Sequence, residues 1–361
     1  MAYSFVFSGG GTGGHVFPAL AVARILDAEG HRILFVGRRQ GIEARLVAEA
    51  GFDMAFIRSS GLNRVGWRAQ LRSASLLPGS IASAWSILRK FKPHAILSLG
   101  GFVAGPVMLA ARGARLPFVI MEPNAVPGFA NRTMARSAAR ILLGFPGFQP
   151  WSPPGKTEVA GVPVRPEIFK VQPKQSGPFT IFVTGGSQGS RTLNRASRES
   201  WPLFCQAQSP VQFLHQSGTP DFSTLAQAFA VSKLSGEVVP FISNMAEAFS
   251  RADLVIGRSG AGGVSEIAAA GMPSILVPLP FAADDHQRRN AETFVRAGAA
   301  RMILDSEMTG EHLFREVEDL RTQPEQLAHM REQVRPFAKP HAAERAAAVL
   351  REIAAKRGSA A

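Results

Sequence analysis

The chain has 361 residues, 46% hydrophobic and 19% charged, which is long for one domain and apolar enough to bury two cores. This composition excludes a disordered chain. The single cysteine, Cys205, excludes an intramolecular disulfide framework and a cysteine-based zinc cluster, and it fits a reducing compartment.

The first half of the chain alternates short apolar runs with helical stretches. The predicted elements are, in order, a strand at 5–8, a glycine loop at 9–14, a helix from about 18 to 29, and strands at 33–36, 95–99, 118–121 and 141–143. Strands that alternate with helices are typical of a doubly wound parallel sheet.

A second series of the same kind begins at residue 179. It contains a strand at 179–184, a glycine loop at 185–190, a helix from about 193, and strands at 211–215, 238–241, 254–257, 274–277 and 300–304. Segment 161–178 holds four prolines and resembles a linker. We therefore predict an N-terminal domain at 1–163, a C-terminal domain at 164–340, and a helix in 341–361 that packs back on the first domain.

Each glycine loop lies between a strand and a helix, where backbone N–H groups and the helix dipole favour phosphate. One such loop could be only a tight turn, but two at corresponding places favour phosphate binding. Gly9, Gly11 and Gly14 also match the dinucleotide fingerprint. The next strand, however, ends in Arg38 and Arg39 and lacks the ribose-binding acid. An NADP-dependent oxidoreductase and a non-catalytic nucleotide-binding protein remain alternatives here.

Segment 258–271, RSGAGGVSEIAAAG, follows the strand at 254–257. Its small residues open a predicted helix at which a diphosphate could rest, and Glu266 falls inside that helix. A carboxylate at this place can accept hydrogen bonds from both hydroxyls of a ribose. An ordinary acidic residue near a helix start would explain the segment equally well if it stood alone.

Positive charge is concentrated in the first half. The chain has 18 basic and 7 acidic residues up to Val164, against 22 basic and 20 acidic from Arg165 onward, within a net charge of +13. The asymmetry predicts an anionic partner: nucleic acid, a membrane surface or a phosphorylated acceptor. The run from Tyr3 to Phe7 is too short for a signal peptide, and no stretch approaches about 18 apolar residues, so we expect a protein that stays in the cytoplasm.

A set of motifs in chain order resembles one family. They are GGGTGGHVFPALAVA, GGFVAGP, MEPNAVPG, GVPVRP, TGGSQGS and RSGAGGVSEIAAAGMPSILVPLPFAADDHQ, followed by the pair Asn290-Ala291. The chain is thereby identified as a member of the MurG-type N-acetylglucosaminyltransferases of bacterial peptidoglycan synthesis. The resemblance implies an α/β GT-B fold of two Rossmann-like domains that face a cleft. It also implies inverting transfer of N-acetylglucosamine from UDP-N-acetylglucosamine to the 4-hydroxyl of an undecaprenyl-diphosphoryl-N-acetylmuramoyl-pentapeptide.

The same resemblance implies a set of residues that bind the donor. Glu266 would bind the ribose, Ile242 would read uracil through its backbone, and Arg165 with Ser187 would hold the diphosphate. The remaining donor contacts it implies are Thr12, Gly13, Gly14, Asn124, Gln287 and Asn290. It implies no cofactor and no metal cluster bound by the protein.

On the acceptor side, the resemblance places the lipid diphosphate at the first glycine loop and at Gly100, Gly101 and Gly105. His15 is our first candidate for the catalytic base, because a histidine accepts a proton near neutral pH, and Glu122 is the second. For both His15 and Glu122, a structural role in capping a helix or bracing the loop is an equal alternative to the role of base. Nucleic acid is not expected as a partner, because no nucleic-acid motif and only one tyrosine, Tyr3, occur.

Residues 62–92 mix leucine, isoleucine and Trp85 with arginine and lysine, as in a surface that contacts an anionic membrane. Pro78 and Gly79 predict a break there, and two core helices with solvated basic ends are an equal alternative. The lipid acceptor of the family favours the membrane, on the cytoplasmic face of the bacterial cell membrane. Met121, Pro123 and Gly263 depart from the family pattern.

Overall fold

A computed structural model describes residues 2–10, 13–57, 67–146, 151–153 and 155–358, with the backbone alone for 13, 67–75 and 283. The chain divides into two compact units. One consists of Met1–Val164 with Lys339–Ala361, and the other is Arg165–Ala338. Each unit is built around a parallel sheet of its own.

Strands and helices alternate through both units. The strands are β1 Ser4–Gly9, β2 Arg32–Gly37, β3 Met54–Phe56, β4 Ala95–Gly100, β5 Phe118–Glu122, β6 Arg140–Leu143, β7 Thr157–Val159, β8 Phe179–Thr184, β9 Val211–Gln216, β10 Ser235–Val239, β11 Leu254–Gly257, β12 Ser274–Leu276 and β13 Ala300–Met302. The helices are α1 Gly13–Ala28, α2 Ile42–Glu49, α3 Trp67–Phe91, α4 Ala104–Gly113, α5 Phe129–Met134, α6 Arg191–Gln206, α7 Phe222–Ala230, α8 Met245–Arg251, α9 Ala261–Ala269, α10 His286–Arg296, α11 Gly310–Arg321, α12 Pro324–Val334 and α13 Ala342–Gly358. Short 3₁₀ helices lie at Ala135–Ser137, Pro166–Lys170, Ala283–Asp285, Asp305–Glu307 and Arg335–Phe337.

The sheet of the first unit has the strand order β3-β2-β1-β4-β5-β6-β7, with parallel pairing throughout. Phe5, Val6 and Phe7 of the central strand β1 have no exposed surface. They form a continuous apolar run because a parallel sheet with helices on both sides buries both faces of its strands.

Two hydrophobic clusters cover the two faces of this sheet. Phe5, Phe7 and Leu97 pack with side chains of α1 and α13 on one face. Val6 and Ile96 pack with α3 and α4 on the other. The C-terminal helix α13 contributes small and branched side chains to the first cluster, and its Arg345 forms an ion pair of 2.9 Å with Glu158 on β7.

The sheet of the second unit has the order β10-β9-β8-β11-β12-β13, again parallel throughout. Helix α6 begins where the Ser190 hydroxyl accepts the backbone N–H of Leu193 at 3.3 Å, which caps its first turn. Its buried Trp201 and Phe204 pack edge to face on Phe213 of β9. Both sheets have the doubly wound order that the sequence predicts.

Three edge strands differ from the sequence prediction. The short strands β3 and β7 are missing from it, because three residues without a continuous buried run carry little signal. Strand β10 is predicted at 238–241 but lies at Ser235–Val239. It stops before Pro240, which has no N–H to donate to a sheet, and it is polar because one of its sides lacks a neighbouring strand.

The break predicted at Pro78 and Gly79 is wrong, since α3 runs through both residues. The proline removes one backbone hydrogen bond from the helix interior. Packing offsets that loss, because Ala84 and Leu88 are buried in the cluster beneath α3, and Ile81 and Ile87 pack against it. The half of the segment whose side chains are described is therefore a core helix, while Arg64, Arg68, Leu71 and Arg72 lie outside the described side chains.

Helix α1 begins at Gly13, five residues before its predicted start at Pro18. Pro18 is the sixth residue of this helix, so it removes one backbone hydrogen bond from the helix interior. Packing offsets that loss, because Val16, Val22 and Leu26 are buried in the core of the first unit. Gly14 and His15 consequently stand in the first turn of α1. None of the helices in the described parts of the chain is long and apolar enough to cross a membrane.

Candidate active site

Each sheet has one point where the chain leaves neighbouring strands in opposite directions. In the first unit this switch lies between β1 and β4, and in the second between β8 and β11. Loops at the carboxyl ends of such strands diverge and leave a crevice that binds ligands in doubly wound proteins. The two predicted glycine loops follow β1 and β8, residues 101–105 follow β4, and segment 258–260 follows β11.

In the first unit, the loops after β1 and β4 touch. Gly100 and Gly101 have φ of 93° and 80°, and a Cβ on Gly101 would lie 2.5 Å from the carbonyl oxygen of Gly10. Only glycine therefore permits both the backbone conformation and the close approach. Gly105 lies in the first turn of α4, whose N-terminus points its backbone amides to the same edge.

His15 is half-buried in the first turn of α1, and its Nδ1 lies 3.1 Å from the carbonyl oxygen of Gly10. A carbonyl oxygen only accepts, so Nδ1 carries the hydrogen and Nε2 is the basic nitrogen of the neutral ring. The contact also fixes the plane of the ring against the glycine loop.

Glu122 ends β5 and is 2% exposed. Its Oε1 accepts from the backbone and side-chain nitrogens of Asn124 at 3.0 and 3.1 Å, and its Oε2 accepts from Gly128 N at 3.0 Å and Asn131 Nδ2 at 2.8 Å. Burial raises the pKa of the Glu122 carboxyl, and the four donors oppose that rise. With both oxygens engaged inside the protein, this carboxylate braces the loop that carries Asn124.

Two further side chains at this edge escaped the sequence interpretation. Asn131 is buried on α5, and its Nδ2 donates to Glu122 Oε2. The same nitrogen lies close to Gly100, since a Cβ on that glycine would be 3.2 Å from it. Glu43 is 1% exposed, and a Cβ on Gly10 would lie 2.5 Å from its carboxyl carbon. The small residues at Gly10 and Gly41 make room for this buried carboxylate, but a lone Glu in a helix start gives no sequence signal of such a contact.

The two arginines after β2 are engaged by aromatic rings. The guanidinium carbon of Arg38 lies 5.3 Å from the centroid of Phe102, and that of Arg39 lies 5.2 Å from Phe56. The backbone N–H of Arg38 also donates to Glu43 Oε1 at 3.1 Å. These contacts explain the positions of Arg38 and Arg39 without a nucleotide phosphate.

Met121 is fully buried in the core, so this departure from the family pattern lies in the packed interior.

In the second unit, the structure brings Arg165 and Glu266 together across 101 positions of sequence. Arg165 Nη2 and Nε donate to Glu266 Oε1 at 2.9 and 3.3 Å, and Nη1 donates to the Ser243 carbonyl at 3.4 Å. Burial raises the pKa of the Glu266 carboxyl, and the Arg165 charge opposes that rise. Glu266 lies inside α9 as predicted, with its side chain 23% exposed.

Ser187 is exposed in the glycine loop between β8 and α6. That loop is fitted closely to the end of β9, because Gly189 has φ of 73° and packs against the backbone of Ser217 and Gly218. Backbone amides at the start of α6 face the same edge of the sheet, which is an arrangement that binds phosphate.

Ile242 follows β10, and its backbone N–H donates to Gln216 Oε1 at 2.9 Å. Gln216 Nε2 in turn donates to the Gly186 carbonyl at 2.8 Å. Gln216 is 3% exposed at the end of β9. Sequence reasoning missed this residue, because a glutamine at the end of a strand is an ordinary surface residue until the fold encloses it.

Gln287 and Asn290 have different surroundings. Gln287 Oε1 accepts the backbone N–H of Leu279 at 3.0 Å. Asn290 is 0% exposed, and its Nδ2 donates to the Ser259 carbonyl at 3.0 Å. Asn290 thus holds the start of segment 258–260, and its contact with the sugar stays a prediction.

Thr12 lies outside the described residues, and for Gly13 only the backbone is described. Asp284 and Asp285 have positive φ in the turn before α10. In the described part of the chain, no group of three His, Cys, Asp or Glu side chains is placed to hold a metal ion.

Two doubly wound units, each with a glycine-rich loop at its switch point, are the architecture of GT-B glycosyltransferases. The chain belongs to glycosyltransferase family 28: the N-terminal domain of that family matches residues 5–143 and its C-terminal domain matches residues 180–346. The predicted fold class and enzyme class are thereby confirmed. Family membership decides against the NADP-dependent oxidoreductase.

Similar proteins cover the chain almost completely. A protein of Solibacter usitatus, named UDP-N-acetylglucosamine--N-acetylmuramyl-(pentapeptide) pyrophosphoryl-undecaprenol N-acetylglucosamine transferase, is 53% identical over 98% of this chain and 97% of its own length. A protein of the same name from Halorhodospira halophila is 41% identical over 96% and 97%. The crystal structure of Acinetobacter baumannii MurG has a TM-score of 0.84 and 32% identity over 98% of this chain and 100% of that one. The resemblance on which the sequence prediction rests is confirmed.

Proposed function

We propose that this chain transfers N-acetylglucosamine from UDP-N-acetylglucosamine to the 4-hydroxyl of undecaprenyl-diphosphoryl-N-acetylmuramoyl-pentapeptide, with inversion at the anomeric carbon. The observation that carries the proposal is the Arg165–Glu266 pair at the switch point of the second unit, in a chain 53% identical to a transferase of that name. The pair supplies a carboxylate for ribose and a cation for the diphosphate.

In the proposed donor site, different residues bind the ribose, the diphosphate and the sugar. Glu266 accepts hydrogen bonds from the ribose hydroxyls, and Arg165 holds its Oε1 in place while its exposed part reaches the diphosphate. Ser187 and the amides at the start of α6 complete the phosphate contacts. Gln287 and Gly14 supply sugar contacts, together with Thr12, Gly13 and Asn124, and Asn290 supports the site through Ser259.

The acceptor diphosphate binds at the first glycine loop and at Gly100, Gly101 and Gly105, beside the N-termini of α1 and α4. In the transfer step, the acceptor 4-hydroxyl forms a bond to the anomeric carbon as the bond from that carbon to the UDP oxygen breaks. The electron pair stays on UDP, whose charge the Arg165 guanidinium and the helix amides stabilise.

We assign the proton of the attacking hydroxyl to Nε2 of His15, because Nδ1 is held by the Gly10 carbonyl. Glu122 is the weaker candidate for this role, since four internal donors occupy its two oxygens. We assign it instead to positioning the Asn124 loop at the acceptor edge.

A lipid-linked acceptor requires the enzyme to work at a membrane surface, and we propose peripheral attachment at the cytoplasmic face. The charge of +11 up to Val164 supports attraction to anionic lipid. On α3, Trp85 is 42% exposed, and Arg89, one turn further along the same face, and Lys90 are exposed as well. An outward tryptophan among basic residues suits the headgroup region of a bilayer.

A direct assay tests the function. The purified chain, UDP-N-acetylglucosamine and the undecaprenyl-linked acceptor should give UDP and the disaccharide lipid, with transfer insensitive to a metal chelator. UDP should also protect the protein from thermal unfolding, and NADPH should not. Absence of transfer with the intact acceptor would reject the proposal, and chelator inhibition would reject the metal-independent chemistry.

A further inference from the structure

The two arginines that follow β2 each lie over an aromatic ring at the carboxyl edge of the first sheet. The guanidinium carbon of Arg38 is 5.3 Å from the ring centroid of Phe102, and that of Arg39 is 5.2 Å from the centroid of Phe56. Strand β1 lies between β2 and β4, so the Arg38–Phe102 pair bridges the end of β1, where the first glycine loop begins. We call these two pairs the arginine–phenylalanine surface.

Both pairs are open to solvent. Phe102 is 43% exposed and Phe56 is 37% exposed. The side chain of Arg38 is 27% exposed, and Arg39 is exposed. A guanidinium held over a ring keeps its edge available for hydrogen bonds in a fixed orientation, and exposed rings gain free energy when a ligand covers them. The surface therefore suits a ligand that is both anionic and partly apolar.

The surface has an excess of positive charge. Glu43 Oε1 lies 3.8 Å from Arg38 Nε, and it is the one carboxylate that forms an ion pair with either arginine in the described part of the chain. Glu43 is 1% exposed, so it holds Arg38 from the protein interior. Two guanidinium groups against one carboxylate leave a cation to which an anionic group of a ligand can bind.

The proposed acceptor carries such a group on its peptide. A pentapeptide joined to the muramoyl carboxyl through its amino end has a free carboxylate at its other end. Neighbouring strands are about 4.8 Å apart, so the Arg39–Phe56 pair, which follows β2 and β3, lies about 5–10 Å outward from β1. An extended pentapeptide spans about 17 Å, which is enough to cross both pairs from a sugar near the glycine loop.

We propose that the arginine–phenylalanine surface binds the peptide of the acceptor: Arg38 and Arg39 donate hydrogen bonds to its terminal carboxylate, and the two rings pack against it. The proposal rests on the proposed function, whose acceptor contacts it extends from the diphosphate to the peptide. It predicts that neutralising the end of the peptide and removing the two guanidinium groups have the same effect on acceptor binding.

Steady-state transfer kinetics with two acceptors test this contact. The acceptors differ only at the end of the pentapeptide, which is a carboxylate in one and a neutral amide in the other. Both are supplied in micelles of a nonionic detergent, so that attraction to anionic lipid does not contribute.

The variants are the double variant Arg38→Met, Arg39→Met, the single variant Arg39→Met, and Arg32→Met as the control. Arg39 is changed alone because, unlike Arg38, it forms no ion pair with another described residue. Arg32 is the matched control, because it begins β2 at the opposite edge of the sheet and lies over Phe91 at 4.9 Å in a pair of the same kind. Thermal unfolding verifies that each variant is folded.

The unaltered chain should have a KM about tenfold lower for the acid acceptor than for the amide, because only the acid accepts charged hydrogen bonds from arginine. In the double variant this preference should disappear through a higher KM for the acid acceptor. Its kcat should be nearly unchanged, because a contact far from the reacting atoms is equal in the ground state and the transition state. Arg39→Met should lose part of the preference, and Arg32→Met should keep all of it.

A preference for the acid acceptor that survives in the folded double variant would overturn the proposal, as would an equal loss in Arg32→Met. An equal rise of both KM values, with the preference kept, would assign the arginines to the diphosphate and reject the peptide contact. If the unaltered chain transfers to both acceptors with equal KM, the peptide contact fails and the proposed function stands. If it transfers to neither, the proposed function fails and the peptide contact fails with it.

Discussion

At the scale of single residues, the donor site depends on the protonation of one carboxylate. Ribose hydroxyls donate hydrogen bonds, so Glu266 must be ionised to accept both. Burial raises its pKa, and the charge of Arg165 opposes that rise. The ion pair therefore keeps a partly buried acid in the form that binds the nucleotide.

Glu266→Ala should weaken UDP binding by about 10- to 100-fold, because it removes hydrogen bonds to a charged acceptor. In the unaltered chain, affinity should fall as pH drops through the raised pKa and the carboxylate takes a proton. Arg165→Met removes the opposing charge, so the same loss should begin at higher pH. Calorimetric titration with UDP across pH measures both effects, and a pH-independent affinity in Arg165→Met would contradict the assignment.

His15→Ala should lower kcat by about 10² to 10⁴-fold and leave the KM for the donor nearly unchanged, as expected for loss of a general base. His341→Ala is the control, because His341 is an exposed histidine of the same unit. Steady-state kinetics of both variants decide the matter. Near-normal turnover in His15→Ala would move the base to Glu122 or to water.

At the scale of secondary-structure elements, the crevice of the first unit depends on two loops that approach through glycine. Gly101→Ala introduces two costs: a positive φ and a Cβ 2.5 Å from the Gly10 carbonyl oxygen. Gly51→Ala is the control that carries only the first cost, because Gly51 has the same φ of 80° but nothing lies within 4 Å of its Cβ position. We expect the positive φ to cost about 1 kcal/mol in both variants, and the close contact with Gly10 to add to that cost in Gly101→Ala alone.

Only Gly101→Ala should therefore also raise the KM for the lipid acceptor, since only it displaces the glycine loop. Acceptor titrations at saturating UDP-N-acetylglucosamine measure this difference. Equal acceptor KM values in the two variants would show that the contact between the loops is not needed for the acceptor.

A second element-scale feature joins β9 to α6. His215 is fully buried, and its Nε2 lies 2.9 Å from Asn194 Oδ1. Burial lowers the pKa of His215 to about 3 from the ordinary 6.5. Between these values the unfolded chain binds a proton that the folded chain does not, so stability falls as pH decreases, by at most about 1.4 kcal/mol per pH unit.

His215→Gln keeps a donor for Asn194 and removes this titration. Its free energy of unfolding should decline less below about pH 6.5 than that of the unaltered chain, and the lowered pKa of buried His31 accounts for part of the decline that remains. His329→Gln, an exposed histidine of the same unit, should leave the decline in place. Denaturant unfolding at a series of pH values compares the three proteins.

At the scale of the whole molecule, the C-terminal segment belongs to the first unit. Its helix α13 contributes side chains to the hydrophobic core that also contains residues of α1 and β4. The fully buried Leu350 belongs to that core. Damage to α13 should consequently act on the first unit, whereas the proposed nucleotide site belongs to the second.

Leu350→Ala should destabilise the first unit by about 2–5 kcal/mol through the cavity it leaves, without changing UDP affinity. Val231→Ala, at a valine that is 79% exposed, is the control for an apolar truncation without a cavity. Scanning calorimetry with and without UDP measures stability and binding together. Loss of UDP binding in folded Leu350→Ala would contradict the independence of the two properties.

Much of the fold was predictable because buried parallel strands are uninterrupted apolar runs and glycine loops mark their ends. The central strands β1, β4, β8 and β11 follow this rule, and their identity places both switch points. The bounds of the edge strand β10 were not predictable, because they depend on the absence of a neighbouring strand on one side. The continuous helix α3 was not predictable either, because the packing of its side chains outweighs the hydrogen bond lost at Pro78.

For the site, the sequence by itself determined the residue types that motifs carry: the glycine loops, Glu266 within a helix, His15 and the match to one family. Tertiary structure alone decided which polar groups meet. It paired Arg165 with Glu266, enclosed Glu122 among four donors, buried Asn290 and placed Gln216 between two loops. The physical reason is that a motif records local backbone needs, whereas hydrogen bonding and burial depend on neighbours that are distant in sequence.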